Sequence, residues 1–303
     1  MSSPPCDVLV VVNPASRRGQ RAGRRAVVAL ERAGVRCTTV YTERPGHARI
    51  LAGEQGRAHD AVCAVGGDGT IMEIVGALAP DGPPVAIIPA GTGNLLARAL
   101  GVPLSPERAV RMLLDASEAR IDLGRLADGT RVAIGAGVGI DAAMIATTSS
   151  TWKRRVGVIA YVVTGARHAL VRRRFSATIT VDGVAVTRTA SSVLVANFGA
   201  LLNGLITLGD GIRYDDGLLD VCIFDPRNAL DAARIALRLL TGRAGSDPAM
   251  AYLRGREIVV STEPPLPAQA DGELIGATPF AVTVEPLAAR LLIPHSERSR
   301  RAR

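Results

Sequence analysis

The stretch from residue 60 to residue 75 constrains the fold more than any other part of the sequence. Asp60–Val65 is a short apolar run that contains valines, which predicts a strand covered on both faces. In Gly66–Gly69 three glycines surround Asp68, and glycines let another group approach the backbone closely. Thr70 is the expected N-cap of a helix, with Glu73 in capping-box spacing. Amides at a helix N-terminus form a phosphate site. The negative charge of Asp68 in a phosphate loop is unfavourable unless a cation bridges it to the phosphate. The pattern therefore indicates a nucleotide with Mg²⁺. An ordinary tight turn is the alternative for the glycines alone.

The bulk composition narrows the class of protein. A chain of 303 residues has room for one large domain or two ordinary ones. Since 48% of the residues are hydrophobic and only 3% aromatic, the core must be aliphatic and rich in alanine. The formal charge of +8 favours phosphorylated ligands or an anionic membrane surface, and by itself identifies neither.

The cysteines and the apolar runs bear on the compartment. Cys6, Cys37, Cys63 and Cys222 form no C-x-x-C pair, so we expect buried, reduced thiols rather than a zinc site. Met1–Asp7 lacks the regions of a signal peptide, and no apolar run approaches the ~18 residues of a transmembrane helix. We therefore expect a cytoplasmic protein.

Strands alternate with helices through the first part of the chain. Strands are expected at Val8–Val12, Val35–Tyr41, Asp60–Val65 and Val85–Ile88, and helices at Gln20–Ala33, Ala48–Gln55, Leu95–Leu100 and from Ser105 onward. Such alternation predicts a parallel α/β sheet. The loops that follow its strands share the carboxyl edge, where such sheets bind ligands.

The pattern changes near Arg120 to successive strands. These are expected at Ile121–Leu126, Arg131–Ile134, Phe175–Val181, Val184–Asn197, Leu218–Phe224, Glu257–Thr262 and Phe280–Val284, with helical insertions at Trp152–Val171 and Ala229–Leu240. Asp182-Gly183 is a hairpin turn signal, so this half is predicted to be antiparallel. We predict an N-terminal α/β domain over residues 1–122 and a C-terminal antiparallel β domain over 123–287, with residues 288–303 packing back on the first.

Several common catalytic patterns are absent from the sequence. There is no G-x-x-x-x-G-K-[S/T], which excludes a P-loop enzyme, and no G-x-S-x-G. Lys153 is the only lysine, and it lies far from the glycine loops. The four histidines form no metal-like spacing.

Six segments together resemble one family. They are Asn13-Pro14, Thr42 with Gly46-His47-Ala48, Gly66-Gly67-Asp68-Gly69-Thr70, Pro89-Ala90-Gly91-Thr92-Gly93-Asn94, Asp216-Gly217-Leu218-Leu219-Asp220 and Asp271-Gly272-Glu273. In order and spacing they resemble the diacylglycerol kinase catalytic-domain family, which includes bacterial soluble lipid kinases and sphingosine kinases, over nearly the whole chain. The segment Gly66–Thr70 alone is shared with NAD kinases and, more loosely, with phosphofructokinases. The resemblance implies an NAD-kinase-like α/β nucleotide domain and a C-terminal antiparallel β-sandwich, lipid-binding domain, with the active site between them.

The resemblance implies that the first domain binds ATP. The residues implied are Asn13, Pro14, Ala15, Ser16, Arg17, Thr42, Gly66, Gly67, Asp68, Gly69, Thr70, Ile71, Met72, Gly91 and Thr92. The backbone from Gly66 to Met72 would hold the phosphates, Asp68 would face Mg²⁺ or its waters, and Thr42 would lie near the base or sugar. Taken singly each could be structural, most readily Asn13 as a turn or cap residue.

A second, structural Mg²⁺ is implied in the β domain. By resemblance Asp216 binds it, helped by the backbone carbonyls of Arg213 and Leu218, and hard oxygen ligands are what Mg²⁺ takes. From the residues alone, a turn aspartate is the better interpretation of Asp216.

Asp271-Gly272-Glu273 carries the implied catalytic base. The resemblance makes Glu273 the base and Asp271 a member, with Asp68, of the Mg²⁺–water network. Phosphoryl transfer to an alcohol is mostly positioning and charge stabilisation, with a carboxylate taking the hydroxyl proton. A carboxylate beside an apolar lipid site would have a raised pKa, which suits a base. A plain hairpin turn is the alternative.

One residue departs from the family pattern. Many members carry an acidic residue directly after the asparagine of the second glycine turn, but here Asn94 is followed by Leu95. One carboxylate of the usual metal–water network is therefore missing, which indicates either a subgroup or weaker activity. Since Asp68 and Glu273 remain, we do not interpret the chain as a dead enzyme.

Trp152–Arg174 has an apolar middle between strongly basic ends. This composition fits a helix lying on an anionic bilayer, and a core-packed helix with solvated arginines is an equally good interpretation. With it, Gly135–Ile145 and Leu201–Leu208 are candidate walls of an acyl pocket.

The sequence thus predicts an ATP- and Mg²⁺-dependent lipid kinase acting on diacylglycerol or a related lipid alcohol. We expect a cytoplasmic protein, peripherally associated with an anionic membrane, that binds no nucleic acid; an exposed sheet edge leaves a homodimer open. The alternatives are an NAD kinase-like enzyme and a non-catalytic nucleotide- or lipid-sensing protein.

Overall fold

The computed structural model describes residues 5–16, 18–139, 174–201, 206–209 and 211–295. The chain divides into two compact units, residues 1–121 with 287–303, and residues 122–286. The predicted helix at Trp152–Val171 and most of the basic segment around it lie outside the described ranges. Within those ranges, no helix is long and apolar enough to cross a membrane.

The first unit alternates strands and helices. Its elements are β1 (Asp7–Val12), α1 (Gly19–Arg32), β2 (Arg36–Tyr41), α2 (His47–Gln55), β3 (Ala61–Gly66), α3 (Asp68–Leu78), β4 (Val85–Pro89), α4 (Leu95–Ala99) and α5 (Pro106–Leu114), followed by the start of β5 (Ala116–Leu126). The end of the chain's last strand also belongs to this unit.

The sheet of the first unit is parallel, as predicted. Its strand order is β2-β1-β3-β4, and Leu291 from the last strand lies parallel beside Val85 of β4. The side chains of Val8–Val12 and Ala61–Val65 are fully buried, because helices cover both faces of these strands. β2 lies at the edge, and its residues alternate between more and less exposed positions.

The second unit is built almost entirely of antiparallel strands. After β5 come β6 (Arg131–Val132), β7 (Gly135–Val138), β8 (Phe175–Val181), β9 (Val184–Ala190), β10 (Ser192–Ala196), β11 (Ala200–Leu201), β12 (Ile206–Thr207), β13 (Leu219–Phe224), α6 (Ala229–Thr241), β14 (Met250–Gly255), β15 (Glu257–Glu263), β16 (Pro267–Ala270), β17 (Glu273–Ala277) and β18 (Phe280–Pro294).

Two sheets share the core of this unit. One runs β18-β15-β8-β9 and the other β14-β13-β10-β7-β16-β17, with antiparallel pairing between neighbours. Ile179 and Ile258 from the first sheet pack in one apolar cluster with Val193 and Val221 from the second. Asp182-Gly183 turns β8 into β9 with both residues in the left-handed region, which confirms the predicted hairpin.

The predicted single strand Val184–Asn197 is wrong. The chain changes sheets within it, because β9 pairs with β8 whereas β10 pairs with β7 and β13. Ser191 lies at the change, and both its amide and its hydroxyl donate to the carbonyl of Phe224, at 2.8 and 3.1 Å. The apolar pattern of the sequence runs on without a break because β9 and β10 both have apolar residues on their inner faces.

Among the strands that were not predicted are β7, β14 and β16. β7 is half glycine, β16 begins with a proline, and β14 has the sequence Met-Ala-Tyr-Leu-Arg-Gly, so none of these three has a clear strand pattern. Pairing with neighbours decides their structure, since β7 and β16 lie side by side in one sheet.

Candidate functional site

Four loops of the first unit follow strands β1 to β4. The described residues of these loops are 13–16 and 18 after β1, Thr42 after β2, Gly67 after β3 and Ala90–Asn94 after β4. Because the four strands are parallel, all these loops leave the same edge of the sheet.

The helix after β3 begins one turn earlier than its sequence indicates. Gly67 is the N-cap residue, in extended conformation, and Asp68 is the first helical residue. The prediction of Thr70 as N-cap is therefore wrong. Thr70 lies inside the first turn, buried, and its Oγ1 accepts a hydrogen bond from Asn13 Nδ2 at 2.8 Å.

Glu73 does not form the predicted capping box. Its Oε1 accepts from the amide of Gly46 at 2.9 Å, and its Oε2 from the amide of Ala48 at 3.1 Å. These amides belong to the start of α2, so Glu73 caps the neighbouring helix and not its own.

The glycine turns after β3 and β4 touch each other. The amide of Ala90 donates to the carbonyl of Gly66 at 2.8 Å. A Cβ placed on Gly91 would lie only 2.5 Å from the Cα of Gly67, closer than any side chain can approach a backbone atom. The two loops therefore pack backbone against backbone, and this approach requires glycine at position 91.

Asp68 joins the two turns through its carboxylate. Its Oδ1 accepts from the amide of Leu95 at 2.5 Å and from that of Leu96 at 3.4 Å, while Oδ2 lies on the side of Gly93. Burial raises the pKa of Asp68 above its ordinary value, and the amide hydrogen bonds oppose part of that increase. Leu95, the residue that departs from the family pattern, thus contributes its backbone to this site.

Asn94 closes the second glycine turn. It has a left-handed φ of 51°, and its side chain accepts from the amide of Gly91 at 3.0 Å and donates to the carbonyl of Gly91 at 3.1 Å. Asparagine tolerates this backbone conformation better than most residues do. Arg98 Nε donates to the carbonyl of Gly93 at 2.9 Å and braces the same turn.

The loop after β1 is organised by Asn13. Its Oδ1 accepts from the amide of Ala15 at 2.9 Å, and its carbonyl accepts from the hydroxyl of Ser16 at 2.9 Å. Together with the bond to Thr70, these contacts give Asn13 a turn-forming role, the structural alternative left open above. Pro14 and Ala15 are exposed, and Arg17 is outside the described residues.

The other predicted nucleotide residues differ in exposure. Thr42 is buried, and its amide donates to the carbonyl of Val12 at 2.9 Å. Ile71 is fully buried and its amide donates to the carbonyl of Gly67 at 3.1 Å, whereas Met72 is half-buried in the same helix. Gly69 and Thr92 are exposed at the loop surface.

In the second unit, Asp271 holds a turn together. Its Oδ2 accepts from the amide of Ala133 at 2.7 Å, and its Oδ1 accepts from the amides of Ile134 and Gly135 at 2.9 and 3.0 Å. Asp271 itself has a left-handed φ of 47°. Three backbone donors thus surround a carboxylate that was predicted to face a metal–water network.

Glu273 begins β17, two residues after Asp271. It lies opposite Ala270 of β16 and is exposed. Within the described ranges its carboxylate forms no hydrogen bond or ion pair, so it is accessible to a substrate hydroxyl. Its position follows from the turn that Asp271 fixes.

The predicted structural metal site lies in another turn of the second unit. Asp216 Oδ1 accepts from the amide of Leu218 at 3.1 Å, and Arg254 Nη1 lies 4.0 Å from Asp216 Oδ2. Arg213 pairs with Asp215 at 3.1 Å. This is the geometry of a turn aspartate with a cation nearby, and Mg²⁺ at this position stays a prediction.

A buried carboxylate that was not among the predicted site residues lies beside this turn. Asp122 is fully buried, and its Oδ2 accepts from the amide of Gly217 at 2.7 Å. Its carbonyl accepts from Asn197 Nδ2 at 2.7 Å, and Asn197 Oδ1 is the one buried side-chain oxygen without a partner in the described part of the chain. The available signal was an aspartate between Ile121 and Leu123 in an apolar strand.

The donors of the first unit fit Mg²⁺ in one particular way. The described residues contain no group of three or more His, Cys, Asp or Glu side chains that converge on a point. A cation at Asp68 would therefore complete its shell with water and phosphate oxygens. Mg²⁺ is commonly bound by one or two carboxylates plus substrate phosphates, so this donor set fits it.

The structure thus brings the predicted residues together in three groups, one in the first unit and two in the second. The first unit brings together Asn13, Gly67, Asp68, Thr70 and Gly91, through the contacts described above. The second unit places Asp271 and Glu273 in one turn, and Asp216 with Leu218 in another.

Both halves of the chain match models of known domains. Residues 7–126 match the diacylglycerol kinase catalytic domain, and residues 134–293 match the YegS C-terminal NAD kinase beta sandwich-like domain. The second match alone covers more than half of the chain.

Individual relatives agree with these matches. An uncharacterized protein of Synechocystis is 32% identical over 244 residues, which are 79% of this chain and 56% of that protein. The chain therefore spans little more than half the length of this relative. A diacylglycerol kinase of Staphylococcus haemolyticus is 28% identical over 275 residues, 89% of this chain and 83% of that enzyme.

Solved structures share the fold. A crystal structure of a diacylglycerol kinase from Bacillus anthracis aligns with a TM-score of 0.75 at 21% identity, covering 97% of this chain and 99% of that chain. Another structure from the same organism reaches a TM-score of 0.81 at 22% identity. With both domain models matched in order, the chain belongs to the diacylglycerol kinase catalytic-domain family.

Proposed function

We propose that this protein is an ATP- and Mg²⁺-dependent lipid kinase that phosphorylates the hydroxyl of diacylglycerol or a related lipid alcohol. Membership of a kinase family supports phosphoryl transfer as the reaction class and ATP as the donor. The acceptor is the more specific part of the proposal. It draws support from the name of the staphylococcal relative.

The observation that carries the proposal is the contact between the glycine turns at Gly67 and Gly91. Two loops that pack backbone to backbone leave no side chain between them, so a ligand can approach the amides at the start of α3 closely. Such amides at the start of a helix bind phosphate oxygens, and a nucleotide triphosphate supplies several of them. The role of this chain's first unit is therefore to bind and orient ATP.

Asp68 is the residue that would hold Mg²⁺. Mg²⁺ held by this residue would supply neutralisation of the charge that develops during transfer. The amides of Leu95 and Leu96 hold the carboxylate of Asp68 in place, so this proposed metal ligand is positioned before the nucleotide binds. Because burial raises the pKa of Asp68, a divalent cation would also favour its ionised form.

Glu273 is the proposed general base. It is an exposed carboxylate at a strand start, and it takes the hydroxyl proton of the lipid alcohol as the phosphoryl group is transferred. Asp271 keeps the turn that carries Glu273 in one conformation. Its three accepted amide bonds favour this positioning role over direct contact with metal-bound water. The structural Mg²⁺ at Asp216 is part of the proposal and contributes no step to the reaction.

One observation favours a second candidate, an NAD kinase-like activity. The model matched by residues 134–293 is described as NAD kinase beta sandwich-like. NAD is therefore included as an acceptor in the test.

The test is transfer of labelled γ-phosphate from ATP to a panel of detergent-dispersed lipid alcohols and, in parallel, to NAD. Wild type is compared with Asp68→Asn and Glu273→Gln, and with Glu263→Gln as a matched control, an exposed glutamate of the same unit at the end of β15. Label in a lipid product that both site variants lose and the control keeps supports the proposal. Label in NADP would instead establish the second candidate, and binding of ATP without transfer to any acceptor would indicate a sensor.

A further inference from the structure

We propose that the outer face of helix α6 is a docking surface for an anionic lipid bilayer. The inference rests on the proposed function, because a kinase for lipid alcohols has to reach its substrate at a membrane. It concerns only residues 227–247 of the second unit, all of which the structure describes.

The outer face of α6 differs from the solvent-facing side of a normal amphipathic surface helix. Its inner face, with Ala232 and Ile235, is buried, and Ile235 packs in an apolar cluster with Phe224. On the opposite face, Leu230 is 75% and Leu237 61% exposed. They are seven residues apart, hence two turns along one side of the helix. Solvent therefore meets two large apolar side chains on this face, which we call the leucine stripe, beside the charged residues of the helix.

The charged residues beside this stripe pair with one another. Arg234 donates to Asp247 at 2.9 and 3.2 Å and pairs with Asp231 at 2.7 Å. Arg238 lies 3.4 Å from the same Asp247, whose side chain is fully buried. The aspartates near the stripe are thus covered by guanidinium groups, and neither presents a free negative charge to a partner.

Two further arginines lie at the ends of the helix. Arg227 precedes it and Arg243 follows it, and both are exposed. Neither forms an ion pair with any residue that the structure describes. The surface is therefore a leucine stripe with a free positive charge at each end.

This charge arrangement selects among the possible occupants. In an antiparallel pairing of two copies through α6, Arg227 of one copy would lie beside Arg243 of the other, and like charges would repel. An anionic bilayer instead offers acyl chains to the leucines and negative head groups to both arginines. Interfacial helices have this combination of an apolar face and flanking basic residues.

The experiment measures co-sedimentation of the full chain with vesicles, without ATP. Vesicles contain phosphatidylcholine alone or with phosphatidylglycerol. We expect wild type to bind the anionic vesicles, and the double variant Leu230→Ser/Leu237→Ser to bind them at least roughly tenfold more weakly, because it loses burial of two leucines. The matched control is Val184→Ser, which removes another exposed apolar side chain of the same unit, 68% exposed at the start of β9. The control should bind as wild type does.

A second pair of substitutions leaves the apolar stripe unchanged. Arg227→Gln/Arg243→Gln should weaken binding to anionic vesicles and remove most of its salt dependence, with no effect on neutral vesicles. Since both residues are exposed, this variant also answers the question if the leucine variant fails to fold by circular dichroism.

Several results would overturn the proposal. The first is that wild type does not bind vesicles. The second is that both double variants bind anionic vesicles as strongly as wild type does. The third is that wild type is a dimer and the leucine variant loses the dimer while its vesicle binding stays intact. The last result would identify a second copy as the occupant. Activity on a short-chain, monomeric diacylglycerol separates the two proposals. Docking predicts that the leucine variant keeps this activity, whereas a wild type that phosphorylates no lipid contradicts the proposed function without changing the vesicle result.

Discussion

Replacing Asp271 tests whether this carboxylate acts in the turn or in the chemistry. Oδ2 accepts from Ala133, and Oδ1 accepts from Ile134 and Gly135. The Asp271→Asn side chain has one acceptor and one donor group in place of two acceptors. Whichever way it is oriented, its NH₂ group faces at least one backbone N–H, so at least one hydrogen bond is lost.

The structure sets the expected magnitude. A buried amide left without its partner costs about 1–3 kcal/mol, and we expect Asp271→Asn to destabilise the second unit by this amount. Asp271→Ala loses all three bonds and also places alanine at a φ of 47°. That conformation costs alanine about 1–2 kcal/mol more than a residue tolerant of it.

Asp182 is a matched control within the same unit. It also has a left-handed φ, 49°, and it also accepts two backbone amides, from Arg256 and Glu257, both at 2.8 Å. Both bonds go to Oδ1, so Asp182→Asn can keep the two of them. We therefore expect the urea midpoint of Asp182→Asn to stay near that of wild type.

The assay is urea unfolding followed by circular dichroism. With a slope of roughly 2 kcal/mol per molar urea, a loss of about 2 kcal/mol lowers the midpoint by about 1 M. Equal midpoints for Asp271→Asn and Asp182→Asn would refute the reasoning. Lipid phosphorylation is then measured where Asp271→Asn is fully folded. A turnover close to wild type supports positioning of Glu273, and a loss of several orders of magnitude supports the metal–water role.

Three other substitutions test the site and its surroundings, each by urea unfolding. Gly91→Ala places a methyl carbon 2.5 Å from the backbone of the facing loop. We therefore expect it to lower the stability by about 1–3 kcal/mol and to weaken ATP binding measured by calorimetry. The control Gly53→Ala adds its methyl group in open space and should not destabilise the protein. Asp68→Asn removes a carboxylate whose pKa is raised by burial. Ionisation of this carboxylate costs the folded state free energy as the pH rises through that pKa. Without Mg²⁺, the variant should therefore be more stable than wild type near neutral pH, but not in acid. Arg254→Ala removes the guanidinium group that lies 2.8 Å from the carboxylate of Asp220. Because Arg254 is partly solvated, we expect the stability to fall by only about 1–2 kcal/mol. The loss should be smaller in acid, because burial raises the pKa of Asp220 and so favours its protonated form.

Each of these has a contradicting result. Gly91→Ala with wild-type stability and ATP affinity would show that the two loops do not pack backbone to backbone. Asp68→Asn that is less stable than wild type near neutral pH would contradict the cost assigned to burying the carboxylate. A loss in Arg254→Ala that is independent of pH would show that Asp220 is not the group left unpaired.

Much of the first unit could be predicted from the sequence because its signals are local. A strand buried on both faces is a continuous apolar run, and β1, β3 and β4 are such runs. The start of α3 was misjudged because Thr70 and Glu73 have capping chemistry. Their partners, Asn13 and the amides at the start of α2, are more than 20 residues away. Local spacing carries no information about such partners.

The second unit was less predictable because its strands are defined by pairing. The break at Ser191 depends on the carbonyl of Phe224, 33 residues later. The role of Asp271 depends in the same way on three amides more than 130 residues earlier. The motif containing Asp271 and Glu273 could be identified by resemblance, but the hydrogen bonds that hold it could not.

The position of the last strand has a consequence for how the protein is made. Leu291 lies beside Val85 at the edge of the first unit's sheet, and Arg290 donates to Glu118 at 2.7 and 2.9 Å and to the carbonyl of Gly82. On a ribosome, residues 122–286 emerge before any of these contacts can form. Domains usually fold in the order of synthesis, yet here the first unit can complete its sheet only after the second has left the exit tunnel. Until then β4 is paired with β3 alone, and its other edge lacks the contact with Leu291. A stop codon shortly before Arg290 would thus damage the half of the protein that was translated first.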